Sequence, residues 1–184
     1  WSVPGTLYKS RKNALSILNK EHALIGSNRL IRKMAYIASK VGLNPYTSST
    51  GLYLLNKSFS DSISNSRFSY TCGSALRAVV RKFFEIPALG AVLVCDPCNG
   101  FEDLGFINGV NAITCSPEQL VELSRRLKND LEYAQTIAYA GQKLILEKHT
   151  LHVRAKQLKK ALLLGLKGEF QGAKWKNGDL VLLP

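Results

Sequence analysis

Apolar positions along this chain fall into two regimes. Up to residue 115, stripes of helical period alternate with short solid apolar runs. Beyond it the period is helical almost to the end. Residues 6–20 predict a helix with Ala14, Leu15 and Leu18 on one face, and 22–26 (HALIG) a short buried strand. The next helix is capped by Asn28 and ended by Gly42. Leu30, Ile31, Met34, Ile37, Ala38 and Val41 form its apolar stripe. Residues 44–51 read as a loop, 52–59 as a short helix and 60–66 as a second loop. RFSYTCG (67–73) alternates as a strand does. Residues 75–89 predict a helix carrying Glu85, closed by Gly90, with Pro87 kinking its last turn. AVLVC (91–95) and VNAIT (110–114) predict two more strands.

Ser116-Pro117-Glu118-Gln119 then joins a serine cap, a proline at the first helical position and a glutamine three residues on, which is a capping box. Leu120, Leu123 and Leu127 should face inward from that helix. A second helix spans 131–147, and a third starts at Thr150, a natural cap. Solid apolar strands interleaved with helices imply a parallel sheet covered on both faces, a Rossmann-like α/β domain with a helical run over 117–166. The division expected is a domain over 1–166 and a tail or linker over 167–184. Ligands of such sheets bind beyond the carboxyl ends of the strands. The loops after 22–26, 67–72 and 91–95 are therefore the ones to inspect.

Charge sharpens this picture. The net charge is +12, and residues 1–84 hold 13 Lys and Arg against two acids, Glu21 and Asp61. A half so basic suits a nucleotide diphosphate, a phospholipid surface or a nucleic acid. The bland alternative is a solvated basic surface. Nucleic acid is disfavoured, because there is no aromatic-interleaved basic strand, zinc pattern or recognition helix. No apolar run reaches membrane-spanning length, and the start shows no apolar leader. Opening on Trp1, the chain reads as a fragment of something longer. Cys95 and Cys98 form a lone C-x-x-C with no second pair, and His22, His149 and His152 are remote from it. Cys72, Cys95 and Cys115 each close a strand, so reduced thiols and no metal are expected.

Residues 67–162 carry a motif order that resembles a known family. Phe84-Glu85 leads to Gly90, and Glu102 follows in the loop after the next strand. Gly109-Val110-Asn111, Pro117-Glu118-Gln119-Leu120, Gly141 to His149-Thr150, and Arg154 then appear in turn. This resembles the C-terminal domain of group-1 glycosyltransferases of the GT-B fold, nearest the spore-maturation-type branch. The resemblance implies one half of a two-domain enzyme, with the catalytic residue and the acceptor site on a missing N-terminal domain. It also implies metal-independent, retaining transfer of a sugar from a nucleotide sugar such as a UDP- or GDP-sugar to a glycan or other acceptor. No cofactor is implied beyond that substrate. The setting implied is cell-surface glycan biosynthesis in the cytoplasm, with peripheral contact to the inner face of the membrane.

By the same resemblance Glu85 accepts hydrogen bonds from the donor's ribose hydroxyls. A carboxylate suits this, since it can take two vicinal hydroxyls at once. The plain alternative is an i,i+4 pair with Arg81. Lys9, Arg11, Arg77 and the amides near Gly73-Ser74 are candidates for the diphosphate, whose departing charge needs cations or helix N-termini. Cys98, Asn99, Gly100 and Phe101 are candidates for a loop over the donor, though Asn-Gly is also the commonest turn dipeptide. Arg77 stands where many relatives carry a second glutamate, eight residues before Glu85. His149 and Thr150 read as a helix junction rather than a catalytic pair, with His149 bonding the last carbonyls of the preceding helix. Alternatives from other classes are a basic nucleic-acid- or anion-binding module and an inactive structural copy of the domain.

Overall fold

The computed structural model describes residues 1–5, 8–21, 23–24 and 29–183. Its centre is a parallel sheet of β1 (Phe68–Thr71), β2 (Val92–Cys95) and β3 (Ile113–Thr114), in that order. Ser2 adds a parallel bridge to Ser69 on the outer side of β1. Every residue of β1 and β2 is buried because both faces are covered. Val92 and Val94 point into a core with Trp1, Leu18, Leu120 and Leu127. Leu93 and Cys95 point into another with Phe83, Ile86, Phe101 and Phe106. The expected α/β architecture, a Rossmann-like parallel sheet with helices on both faces, is the one observed.

The first core is closed by α1 (Lys9–Lys20), α5 (Leu120–Asn129) and α6 (Leu131–Leu144). The second is closed by α4 (Lys82–Ala88), the end of α3 (Ser49–Ser64) and a π-helical turn, Ile145–His149. The capping box forms as the sequence requires, with Ser116 N–H donating to Gln119 Oε1 at 3.0 Å. Thr150 caps α7 (Leu151–Leu166) by accepting from the Val153 amide at 3.3 Å. Gly90 makes the turn from α4 into β2 at φ +81, a conformation that would strain any side chain there.

Five local expectations need correction. The strand expected over 110–114 is only Ile113–Thr114, because the Val110 and Asn111 amides turn back to the Ile107 carbonyl. Ala23 and Leu24 lie in no strand; the rest of 22–26, the Asn28 cap and residues 6–7 fall outside the described residues. The parallel bridge at Ser2 occupies the position next to β1 instead. The helix expected over 52–59 runs over Ser49–Ser64, absorbing most of the expected loop 60–66. Burying Ile63 completely overrides the weak helix propensity of its serines. The helix expected over 75–89 begins only at Lys82. Ser74 (φ 62) and Arg77 (φ 49) are left-handed, which no helix tolerates, and the Ala78 amide turns back to the Gly73 carbonyl at 2.9 Å. Finally, α2 (Arg29–Lys40) does not bury its predicted stripe: Met34 is 61% exposed and Ile37 60%.

Residues 167–184 contain a hairpin, β4 (Gly172–Lys176) and β5 (Asp179–Leu183), turned at Asn177-Gly178. It is fastened to the α/β core. The Gly178 amide donates to the Asp103 carbonyl at 2.9 Å, Lys148 pairs with Asp179 at 2.8 Å, and Arg154 stacks on Trp175 at 3.9 Å. The cation–π contact adds about 0.5–2 kcal/mol depending on how dry it is.

Candidate functional site

The carboxyl ends of β1, β2 and β3 open into a cleft of about 740 Å³. Cys72 to Ala75 and Arg77 line it from the β1 loop, Asp96 and Pro97 from the β2 loop, and Ser116 to Glu118 from the cap of α5. Tyr8 to Ser10 and Asn13 close the side nearest α1. A parallel sheet puts its ligand crevice at this edge.

Of the residues singled out in the sequence, Lys9, Gly73, Ser74 and Arg77 meet in this cleft. Gly73 is there because nothing larger fits: a Cβ would lie 2.9 Å from Cys98 Cβ and 3.0 Å from the Ala78 carbonyl oxygen. Gly73 and Ser74 do not start a helix, so their amides lack the helix-end field expected of them. Arg11 is buried beneath the cleft, where its Nη2 donates to the Cys72 carbonyl at 3.4 Å. Lys82 converges on the same place. A Cβ on Gly5 would lie 2.7 Å from Lys82 Nζ and 3.0 Å from Arg11 Nη1. Burial, and then the neighbouring Arg11 charge, lower the Lys82 pKa, which marks two cations held close together.

Glu85 lines neither this cleft nor its neighbour. It sits in the first turn of α4, with Oε1 paired to Arg81 at 2.8 Å. Its other oxygen, Oε2, is buried and accepts no hydrogen bond among the described residues. An acceptor left in that state costs about 1–3 kcal/mol relative to one that is paired.

Cys98, Gly100 and Phe101 line a second cavity of about 400 Å³ that shares Pro97 with the first. Asn99 ties the two loops together, its amide donating to the Arg77 carbonyl at 2.7 Å. Phe101 is not an open loop residue. Its ring is buried and stacks on Phe106 with centroids 5.2 Å apart, and Cys98 packs against the same core, which leaves Asn99 and Gly100 on the loop's outer side. All four cysteines are free thiols. Burial, with the Asp96 charge nearby, pushes Cys98 up to about 11 and Cys115 up to about 12.

Sequence reasoning missed Asp96. It is the first residue after β2, and its two oxygens accept from Tyr70 Oη–H and Ser10 Oγ–H. Burial, then the hydrogen bond to Asp96, raise the Tyr70 pKa, so the phenol stays protonated and keeps donating. This network locks the start of α1, the end of β1 and the β2 loop around one carboxylate. Its place directly after a core strand, at the ligand edge, was the available signal.

His149 confirms the junction reading but with another partner. Its Nε2–H donates to the Leu104 carbonyl at 2.8 Å, not to the preceding helix, and its Nδ1 accepts from Arg154. Burial lowers its pKa; Arg154 and Lys148 work the same way, against the Leu104 carbonyl and Asp179. The folded imidazole is thus neutral, while in the unfolded chain it titrates near its ordinary value of about 6.5. At acid pH the unfolded state binds the extra proton. Stability is therefore full above that value and falls as the pH drops toward the lower folded pKa. The melting temperature should decline between pH of about 7 and about 5, and His149→Gln should flatten the decline. Equal slopes for the two proteins would assign the titration to another group.

Among solved structures, sucrose-phosphate synthase from Thermosynechococcus elongatus is similar at 14% identity and a TM-score of 0.49, over 74% of this chain and 34% of that one. The chain thus spans about a third of that protein's length. No curated protein sequence matches it. A glycosyl transferase-like family model matches residues 33–160, a stretch that runs from α2 through all three parallel strands to α7. With well over half of its residues inside that match, the chain belongs to the glycosyl transferase-like family.

Proposed function

We propose that this chain is the nucleotide-sugar-binding half of a GT-B-type glycosyltransferase, of the spore-maturation-type branch. The observation that carries the reading is the cleft at the carboxyl edge of the parallel sheet, where Lys9, Arg77 and the Gly73-Ser74 turn meet above the buried Arg11. In this reading Glu85 turns from Arg81 toward the cleft when the donor binds and accepts from its two vicinal ribose hydroxyls. Arg11 and Lys82, brought together at Gly5, and Lys9 and Arg77 in the cleft are the cations for the diphosphate. Guanidinium and ammonium groups can stabilise a departing diphosphate without a metal ion, and metal-independent, retaining transfer belongs to this reading.

Arg77 bears on the sugar end of the donor. A glutamate eight residues before Glu85 would need its own route to the sugar. Here position 77 is not on the Glu85 helix but in an exposed left-handed turn at the cleft. Arg77 therefore contacts donor phosphate rather than sugar in this reading. The acceptor and the catalytic residue come from a domain outside these 184 residues. Work at the cytoplasmic face of the membrane on a cell-surface glycan completes the assignment.

Calorimetric titration of UDP, GDP and CMP into the chain tests the proposal. Weak binding of one uridine or guanosine nucleotide is expected, with no turnover of its sugar conjugate on an added acceptor. Absence of nucleotide binding, together with DNA binding that falls steeply with salt, would replace the proposal with the nucleic-acid reading.

A further inference from the structure

We propose that α2 is an in-plane membrane contact, its exposed apolar stripe laid on an anionic lipid bilayer with flanking lysines among the headgroups. Met34, Ile37 and Val41 follow one another at i, i+3 and i+7, the spacing of a helix face that globular proteins bury. Here the face is open: Val41, just past the helix end, is 70% exposed, and only the small Ala35 among the helix's described side chains is buried. Leu43 and Tyr53 extend the apolar surface beyond the helix. Single exposed apolar residues need no explanation, but a contiguous stripe marks an interaction surface.

Charge identifies what covers it. Residues 22–56 contain Arg29, Arg32, Lys33 and Lys40 and no acid. A second copy of the chain would set this basic face against its own like charges. An anionic bilayer complements both parts, with acyl chains for the stripe and headgroups for the lysines. Lys40 lies over the Tyr36 ring at 5.6 Å, placing an amphipathic aromatic and a cation side by side, as interfacial helices do. At 12 residues α2 lies in the interface rather than crossing it, and no described helix is long and apolar enough to span a membrane.

This names the surface for the membrane contact in the function proposed above, but lipid binding stands or falls apart from nucleotide binding. The 184-residue chain should float with vesicles of equal parts phosphatidylcholine and phosphatidylglycerol, and much less with phosphatidylcholine alone. Met34→Glu with Ile37→Glu should weaken vesicle binding about tenfold or more, and Lys33→Glu with Lys40→Glu should do so while flattening its salt dependence. Circular dichroism and nucleotide titration of each variant should match the parent. If the apolar pair does not fold, the exposed lysine pair decides. The proposal is overturned if both lipid mixtures bind alike or if the lysine pair binds as the parent does. It is also overturned if vesicles are ignored while sedimentation shows a dimer that the glutamate variants dissociate.

Discussion

Replacing Glu85 with alanine is expected to weaken binding of the cognate nucleotide about tenfold to hundredfold while the melting temperature hardly moves. The hydrogen bonds forfeited, made to a charged group, are together worth about 1.5–3 kcal/mol, which sets the size of the loss. The stability side follows from what the carboxylate does without ligand. Its pair with Arg81 joins a guanidinium that is 80% exposed, so screening leaves only a few tenths of a kcal/mol. Its buried Oε2 has no hydrogen-bond partner among the described residues, so removing it breaks no hydrogen bond and relieves a desolvation cost that offsets the lost attraction to Lys82. Affinity and stability should therefore separate cleanly, by calorimetry of the nucleotide and thermal melts of both proteins. Equal nucleotide affinity in Glu85→Ala would end the ribose role. A much lower melt with no change in binding would make Glu85 a structural residue.

Phe106→Ala should instead cost stability, by about 3–5 kcal/mol. Phe106 is fully buried at the centre of an aromatic cluster. Phe101 stacks on it at 5.2 Å, Phe84 and Phe83 lie at 5.9 and 6.4 Å, and the His149 ring runs nearly parallel at 6.2 Å. The ring fills the space between α4, the loop after β2 and the π-helical turn. The hydrogen bond between the Leu104 carbonyl and His149 ties that loop to the π-helical turn and opposes its collapse into the hole. For a domain of this size the melting temperature should fall by roughly 10 °C. Leu151→Ala is the control: that side chain is 87% exposed, and its loss should stay within about 0.5 kcal/mol. Similar melts for the two variants would mean that the cluster does not carry the fold.

Much of the sheet was legible because its signals are local. The β2 run is short, solidly apolar and bounded by turn residues, which told that both faces of the sheet are covered, and β1 showed the alternation of a strand. The capping box, Thr150 and Gly90 each act through neighbours within a few residues, so the chain declares them in place. The position of the cleft followed from the order of helices and strands alone.

The site itself was legible only in pieces. Lys9, Gly73, Ser74 and Arg77 are together as anticipated, but Gly73 and Ser74 do so in a turn rather than at a helix start. Helical periodicity continues smoothly through 75–81, yet the Asn99 amide and the tight approach of Cys98 to Gly73 hold that stretch open. Asp96 drew no notice because its donors, Ser10 and Tyr70, are far away in sequence.

What the amino-acid sequence determined by itself is the set of elements whose causes lie within one or two turns of chain, together with the ligand edge that their order creates. Tertiary structure alone decided which polar groups face each other and which apolar faces stay open. Period can show that α2 is amphipathic, but not whether its apolar side meets protein or another medium. Composition can count cations in the first half, but not that Arg11 lies buried beside Lys82 under Gly5. Nor can it show that one oxygen of Glu85 is buried without a hydrogen-bond partner among the described residues. The physical reason is the same in each case. Burial and pairing are relations between residues brought together by packing, and the distances that govern them are distances in space, not along the chain.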